Sequence, residues 1–217
     1  MSITVFLADD HAVVRDGVKL LLETKQDIAV VGDADNGRVA VKHIEQLRPD
    51  IAILDIAMPE MNGIEATRHI REACPSVKVI ILSMYSTSEH ICRAFDAGAQ
   101  GYVLKESAGD ELIDAVRAVY AGRFYWSKKI PETVIKASGY HSKTRKTETP
   151  LMRLTPRERE ILQLVVEGSS SVKIGNILHL SPKTIETYRS RLMYKLCITD
   201  VPGLVKFAIQ HGLTPLK

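Results

Sequence analysis

The stretch DIAILDIAMPEMNGIEA, residues 50–66, decides how the chain is read. Its first part, DIAILD, is a short apolar run of strand length, too short for a helix. The apolar residues follow one another instead of alternating with polar ones, which suits a strand covered on both faces, as in a parallel sheet. The run ends on Asp55. Met58-Pro59 and Asn62-Gly63 then supply turn chemistry, and Glu65 follows Asn62 by three in capping-box spacing, so a helix is expected to start there. Strand, acidic end, turn and helix start make up one βα unit.

Working outward, four more apolar runs repeat the pattern: ITVFLA (3–8), IAVVGDA (28–34), KVIILS (78–83) and QGYVLK (100–105). Helical periodicity separates them, as with Val14, Val18, Leu21 and Leu22 after the first run. Ser86 before Glu89 and Ser107 before Asp110 repeat the capping-box spacing. The expected fold of residues 1–121 is therefore α/β, a doubly wound five-stranded parallel sheet.

Ligands of such sheets bind beyond the carboxyl ends of the strands. The first run ends at Asp9 and Asp10, the third at Asp55, the fourth at Ser83 and the fifth at Lys105. Three crowded carboxylates repel one another unless a cation compensates, and hard oxygen ligands suit Mg²⁺. An Asp nucleophile beside such a cation and a lysine can accept a phosphoryl group. Two other uses of the sheet fit less well. A phosphatase of the haloacid-dehalogenase type wants a second acid two positions after its nucleophile, where this chain has Ala57. A flavin phosphate would be repelled by Asp9-Asp10-His11; His11 itself reads as a solvated residue at a helix start.

Composition agrees with a globular chain: of 217 residues, 45% are hydrophobic and 25% charged, which excludes disordered and fibrous classes. No apolar run approaches the roughly 18 residues of a membrane helix, and MSITVFLADD meets two acids where a signal peptide needs a longer apolar core. Cys74, Cys92 and Cys197 show neither disulfide nor zinc-site spacing, so a cytoplasmic location and no membrane partner are expected. The net charge of +3 hides an asymmetry. Residues 1–121 hold 12 Lys/Arg against 19 Asp/Glu, and residues 122–217 hold 17 against 7. The basic part is a candidate for binding nucleic acid. Between them, residues 122–137 carry the single Trp126 and read as an extension packed on one of the domains. SGYHSKTRKTET (138–149) has linker composition, with Lys143, Arg145 and Lys146 read as solvating charge.

From Leu154 onward the periodicity is helical. Thr155-Pro156-Arg157-Glu158 combines an N-cap, a first-turn proline and a capping-box acid, opening a helix that stops at Gly168. Further helices are expected at 171–179, from Ser181-Pro182 to Leu196, and at 201–211. Four short helices with a tight turn at 179–182 fit an all-α helix-turn-helix module. At 100° per residue, Ile185, Tyr188, Leu192 and Leu196 of the third helix share an inner side. Lys183, Thr187, Ser190 and Tyr194 lie opposite, with Glu186 and Arg191 on the flanks, a mixed polar face of the kind that enters a major groove.

These motifs resemble those of a known family. Asp9-Asp10, Asp55 with Met58-Pro59 and Asn62-Gly63, Ser83, Gly98-Ala99 and Gly101-Tyr102 before Lys105 resemble the receiver domain of two-component response regulators. LTPREREIL (154–162), Gly168, LSPKTIETY (180–188), Leu192 and Lys195-Leu196 resemble the LuxR-type helix-turn-helix, and the order is that of the NarL/FixJ subfamily. The resemblance implies a receiver at 1–121, an extension and linker at 122–152 and a DNA-binding domain at 153–217. It implies that Asp55 accepts phosphate from a sensor histidine kinase. Mg²⁺ (or Mn²⁺) would be held by Asp10, Asp55 and the Ala57 carbonyl, with Asp9 acting partly through water. Ser83 and Lys105 would bind phosphoryl oxygens and Tyr102 would be the aromatic switch. Lys183, Glu186, Thr187 and Ser190 would face double-stranded DNA, and Tyr194 and Lys195 are counted with them. The final helix would pair two copies, giving a homodimer on phosphorylation or on DNA.

A transcription factor is thus expected, not an enzyme. The alternatives are a regulator that binds DNA without phosphorylation and a stand-alone phosphotransfer enzyme with an Asp nucleophile. Three departures from the family pattern stand out. Met84 places bulk after the switch hydroxyl, with slower access to the phosphoryl group expected. Val172-Lys173-Ile174-Gly175 replaces a charged pair and puts Gly inside a helix, at a cost of about 1 kcal/mol relative to Ala. Cys197 stands where the family favours Gly and reads as a small buried thiol.

Overall fold

The computed structural model describes residues 2–137 and 150–214, which fall into two compact units. The linker reading at 138–149, with Lys143, Arg145 and Lys146, lies outside the described residues.

The first unit alternates strands β1 (Ile3–Ala8), β2 (Ile28–Ala34), β3 (Ile51–Asp55), β4 (Lys78–Ser83) and β5 (Gly101–Leu104) with helices α1 (Ala12–Glu23), α2 (Gly37–Leu47), α3 (Gly63–Ala73), α4 (Ser88–Asp96) and α5 (Ala108–Tyr120). All strand pairs are parallel, in the order β2-β1-β3-β4-β5-β6. Every residue of β3 is buried, as its unbroken apolar run requires. Alternate residues of the central strands, Val5, Leu7, Ile51, Ile53, Ile80, Leu82 and Val103, meet Val18 and Leu22 of α1 and Leu112, Val116 and Val119 of α5 in one core. Truncating such a side chain to Ala typically costs about 2–5 kcal/mol.

The sixth strand corrects the expected count of five. β6 (Tyr125–Trp126) pairs with Gly101 and Tyr102, and α6 (Glu132–Ala137) follows. Two residues are too few to show a period, so the strand is created by its surroundings. Gly122, at φ 81°, turns the chain out of α5. The buried Glu111 carboxylate then accepts the Ser127 hydroxyl at 2.6 Å and the Lys128 amide at 3.2 Å. Trp126 packs on Phe95 of α4, with ring centroids 4.3 Å apart. The extension therefore belongs to the first unit and continues its sheet.

Helix starts are partly as read. Asn62 caps α3 through the amides of Ile64 and Glu65. Ser86 is displaced by Thr87, whose hydroxyl meets His90 Nδ1 at 2.7 Å and not a backbone amide. Ser107 ends a short 3₁₀ turn and makes no side-chain cap.

In the second unit α7 (Pro156–Val166), α8 (Ser171–Leu178), α9 (Pro182–Leu196) and α10 (Val201–Gln210) follow the expected helices closely. Their core joins Ile161, Leu162, Ile174, Ile185, Leu192 and Leu204, and it already includes Leu151. The Thr155–Glu158 capping box is complete. Gly175 has a use that helix propensity does not reveal: a Cβ there would lie 2.5 Å from the Leu180 carbonyl oxygen, so glycine lets the α8–α9 turn close tightly. The reading of Cys197 as a buried thiol is corrected. It is exposed and caps α9 at φ 54°, a left-handed conformation that disfavours any residue with a Cβ and explains the usual glycine.

Candidate phosphoryl-acceptor site and DNA-reading face

Parallel register assembles the acidic site. Ala8 pairs with Leu54, Asp55 with Leu82 and Ser83 with Leu104, so these strands finish together. Asp9, Asp55, Ser83 and Lys105 are thereby delivered to one edge. Lys105 Nζ lies 2.8 Å from Asp9 Oδ2 and 2.8 Å from Asp55 Oδ2. Asp9 and Asp55 are buried, while Asp10 is only half-buried.

Two buried carboxylates share one ammonium, which leaves negative charge uncompensated. Burial pushes Asp55 above its ordinary range. Lys105 pulls it down, the Asp9 charge adds to the rise, and the Ala57 amide donates a stabilising hydrogen bond. Burial works against the Lys105 charge, but attraction and hydrogen bonds from Asp55 and Asp9 outweigh it and raise its pKa. Oxygen donors of Asp9, Asp10 and Asp55, together with a ring nitrogen of His11, all lie within 4.8 Å of one another. That donor set, rich in carboxylate oxygen and short of positive charge, fits a hard divalent cation.

The loop behind Asp55 is held by Asn62-Gly63. A Cβ on Gly63 would stand 2.0 Å from the Asp55 carbonyl oxygen. Gly63 is thus required for α3 to start directly against the end of β3. Ser83 is buried, and its Oγ accepts the Tyr85 amide at 3.1 Å. Tyr102 is fully buried and donates its hydroxyl to the Tyr85 carbonyl at 2.7 Å; burial holds this phenol well above its ordinary pKa. Met84, at 72% exposure, points to solvent.

In the second unit the inner and outer faces of α9 separate as read. Ile185 and Leu192 are buried, whereas Lys183, Glu186, Thr187, Ser190, Arg191 and Tyr194 are exposed, Tyr194 at 87%. Ser181, Lys183, Thr184, Thr187, Tyr188 and Arg191 line a concavity of about 350 Å³. Thr187 and Ser190 donate their hydroxyls to the carbonyls of Lys183 and Glu186, four residues back. Their oxygens keep accepting capacity toward a ligand.

Residues 5–117 match the model of the response regulator receiver domain, and residues 152–208 match that of bacterial regulatory proteins of the luxR family. Response regulator protein VraR of Staphylococcus epidermidis is 35% identical over 213 residues, covering 98% of this chain and 99% of the relative. The chain belongs to the LuxR-type response regulators. The transcriptional regulatory protein DegU of Brevibacillus brevis is 35% identical over 228 residues, with 100% and 97% coverage. Among solved structures, a complex of the response regulator RcsB with DNA is 27% identical, covers 95% of this chain and 98% of its own, and gives a TM-score of 0.55. A second RcsB structure, 25% identical with a TM-score of 0.58 and coverage of 95% and 98%, holds two dimers on two parallel DNAs. This response regulator is accordingly a DNA-binding transcription regulator of the two-component class, not an enzyme. Among its described residues no helix is long and apolar enough to cross a membrane.

Two of the regulator's expected DNA-facing residues also make contacts within the domain. Lys195, half-buried, places its Nζ 2.8 Å from Glu158 Oε2 of the capping box. Glu186 accepts the Ser171 hydroxyl and lies 3.8 Å from Arg189, so its carboxylate ties α9 to α8. Sequence reasoning missed Arg15, whose Nη1 donates to the Asp9 carbonyl at 2.7 Å while Nε reaches Asp33 at 3.0 Å. An arginine one turn into α1, six residues past the first acid, was the available signal. Reading His11 as solvated captured its exposure but not its place beside Asp10.

Proposed function

We propose that Asp55 of this regulator accepts a phosphoryl group from a phosphohistidine of a sensor histidine kinase, and that the modification controls binding to double-stranded DNA. An Asp55 carboxylate oxygen attacks phosphorus, forming the acyl phosphate as the bond to the imidazole nitrogen breaks and its electron pair leaves with the ring. The observation that carries this reading is the bridging of buried Asp55 and Asp9 by one ammonium at a strand-end edge. Mg²⁺ (or Mn²⁺), held by Asp10, Asp55 and the Ala57 carbonyl with Asp9 partly through water, would neutralise phosphoryl oxygens. Lys105 exchanges its contact with Asp55 for a phosphoryl oxygen. Ser83 binds another, and the Ser83–Tyr85–Tyr102 hydrogen bonds carry the change to α4.

On the DNA side, Lys183, Thr187, Ser190 and Tyr194 meet the major groove and its phosphates. The RcsB structures with DNA support this use of the fold, and the dimers among them support a homodimer here. A small phosphodonor with Mg²⁺ is expected to add one phosphoryl mass to the intact protein and none to Asp55→Asn. Addition that persists in that variant or in EDTA refutes the assignment.

A further inference from the structure

We propose that His11 is a nitrogen ligand of the acidic pocket, coordinating a borderline transition cation such as Co²⁺ or Ni²⁺ beside Asp10 and setting the pocket's choice among divalent metals. The inference rests on the metal pocket proposed above and assigns a role to a residue which that pocket does not use. His11 occupies the N-cap of α1 with extended backbone, yet its side chain makes no cap hydrogen bond. Its backbone amide instead donates to Asp9 Oδ1 at 2.9 Å. That short turn carries the imidazole back over the carboxylates, with Nδ1 2.7 Å from Asp10 Oδ1 and 3.5 Å from Asp9 Oδ1.

At 2.7 Å the Nδ1–Asp10 contact is at hydrogen-bonding distance, and a cation taking the proton's place would have the two atoms as neighbouring ligands. Two donors at about 2.1 Å from a six-coordinate ion, and at right angles, stand roughly 3 Å apart. Asp9 and Asp55 each give one oxygen to Lys105 while still facing the pocket, whereas Asp10 is the acid paired with His11. The Asp10 side chain is 20% and the His11 side chain 62% exposed, so an ion has an entry path and room to keep waters. A neutral imidazole with its proton on Nε2 presents a lone pair at Nδ1. Mg²⁺ takes oxygen ligands and makes little use of that nitrogen, while affinity for imidazole rises from Mn²⁺ through Co²⁺ to Ni²⁺. His11 therefore adds affinity for the later ions selectively.

The test is calorimetric titration of the full-length chain with CoCl₂ and, separately, MgCl₂. His11→Ala and His11→Asn, the latter a good helix cap, are compared with wild type, and Trp126 emission reports that each variant is folded. Both variants are expected to bind Co²⁺ about tenfold or more weakly and Mg²⁺ within about twofold of wild type. Asp10→Asn is expected to weaken both ions. Unchanged Co²⁺ affinity in the His11 variants, or equal losses for both ions, overturns the assignment while leaving the pocket intact. Wild-type protein that binds neither ion removes the pocket itself, and the His11 ligand with it.

Discussion

The two units each contain a lysine–carboxylate pair at the same distance, 2.8 Å: Lys105 with Asp55 and Lys195 with Glu158. Their carboxylates shift in opposite directions. Asp55 is raised because burial is joined by repulsion from Asp9, which shares the same ammonium. Burial also acts to raise Glu158, but the Lys195 hydrogen bond and the Thr155 amide and hydroxyl outweigh it, and its pKa falls below the usual range. Distance alone therefore says little about what an ion pair does. The Glu158 pair is complete and stabilises the helical domain; the edge at Asp55 is short of positive charge, as the proposed metal-assisted acceptor requires.

Gly63→Ala probes how rigidly that edge is built, and it carries the largest expected effect. The added Cβ meets backbone at Asp55 itself, so a loss of about 3 kcal/mol or more is expected, together with loss of phosphoryl acceptance measured by intact mass. Full acceptance in a stable Gly63→Ala protein contradicts the close-approach account.

Glu158→Gln sharpens the comparison in the other unit. Losing the charged cap and the Lys195 contact is expected to lower that domain's stability by about 1–3 kcal/mol, followed by far-UV circular dichroism. Because the folded-state pKa of Glu158 is depressed, its contribution is present above the unfolded value and is lost as pH falls through the folded one. Wild type is expected to lose this stability in acid, and Glu158→Gln to lack that part of the pH dependence. Asp55→Asn has the opposite sign and a smaller size. A raised carboxylate pKa removes stability at neutral pH, so the metal-free variant is expected to gain stability, read from Trp126, the chain's single tryptophan, which sits in the receiver. Equal signs for these two substitutions break the comparison.

Most of this architecture is legible because its signals are local and repeated. Five strands carry short apolar runs, and the acids of the site stand at or just past the ends of two of them. Four helices of the basic part carry their own caps, the Thr155–Glu158 box among them. What escaped depends on tertiary placement. β6 exists because Glu111, fourteen residues before Tyr125, catches Ser127 and Lys128. The partner of Lys195 comes from another helix. The roles of Gly63 and Gly175 are close approaches to backbone that no period reveals, and the exposure of Cys197 follows from its left-handed cap. Assignments on α9 reached the exposed face, since angle decides it, but could not foresee that Lys195 contacts Glu158.

The central claim is that charge completed at Asp55 is read out on DNA. Its most direct test is the affinity of the full-length protein for a duplex enriched from its own genome, titrated at one salt concentration with and without a small phosphodonor and Mg²⁺. Coupling of about 1–3 kcal/mol predicts binding roughly 5- to 150-fold tighter after phosphorylation, with no gain in Asp55→Asn. Equal affinity of the two wild-type forms, or a gain that survives in Asp55→Asn, contradicts it.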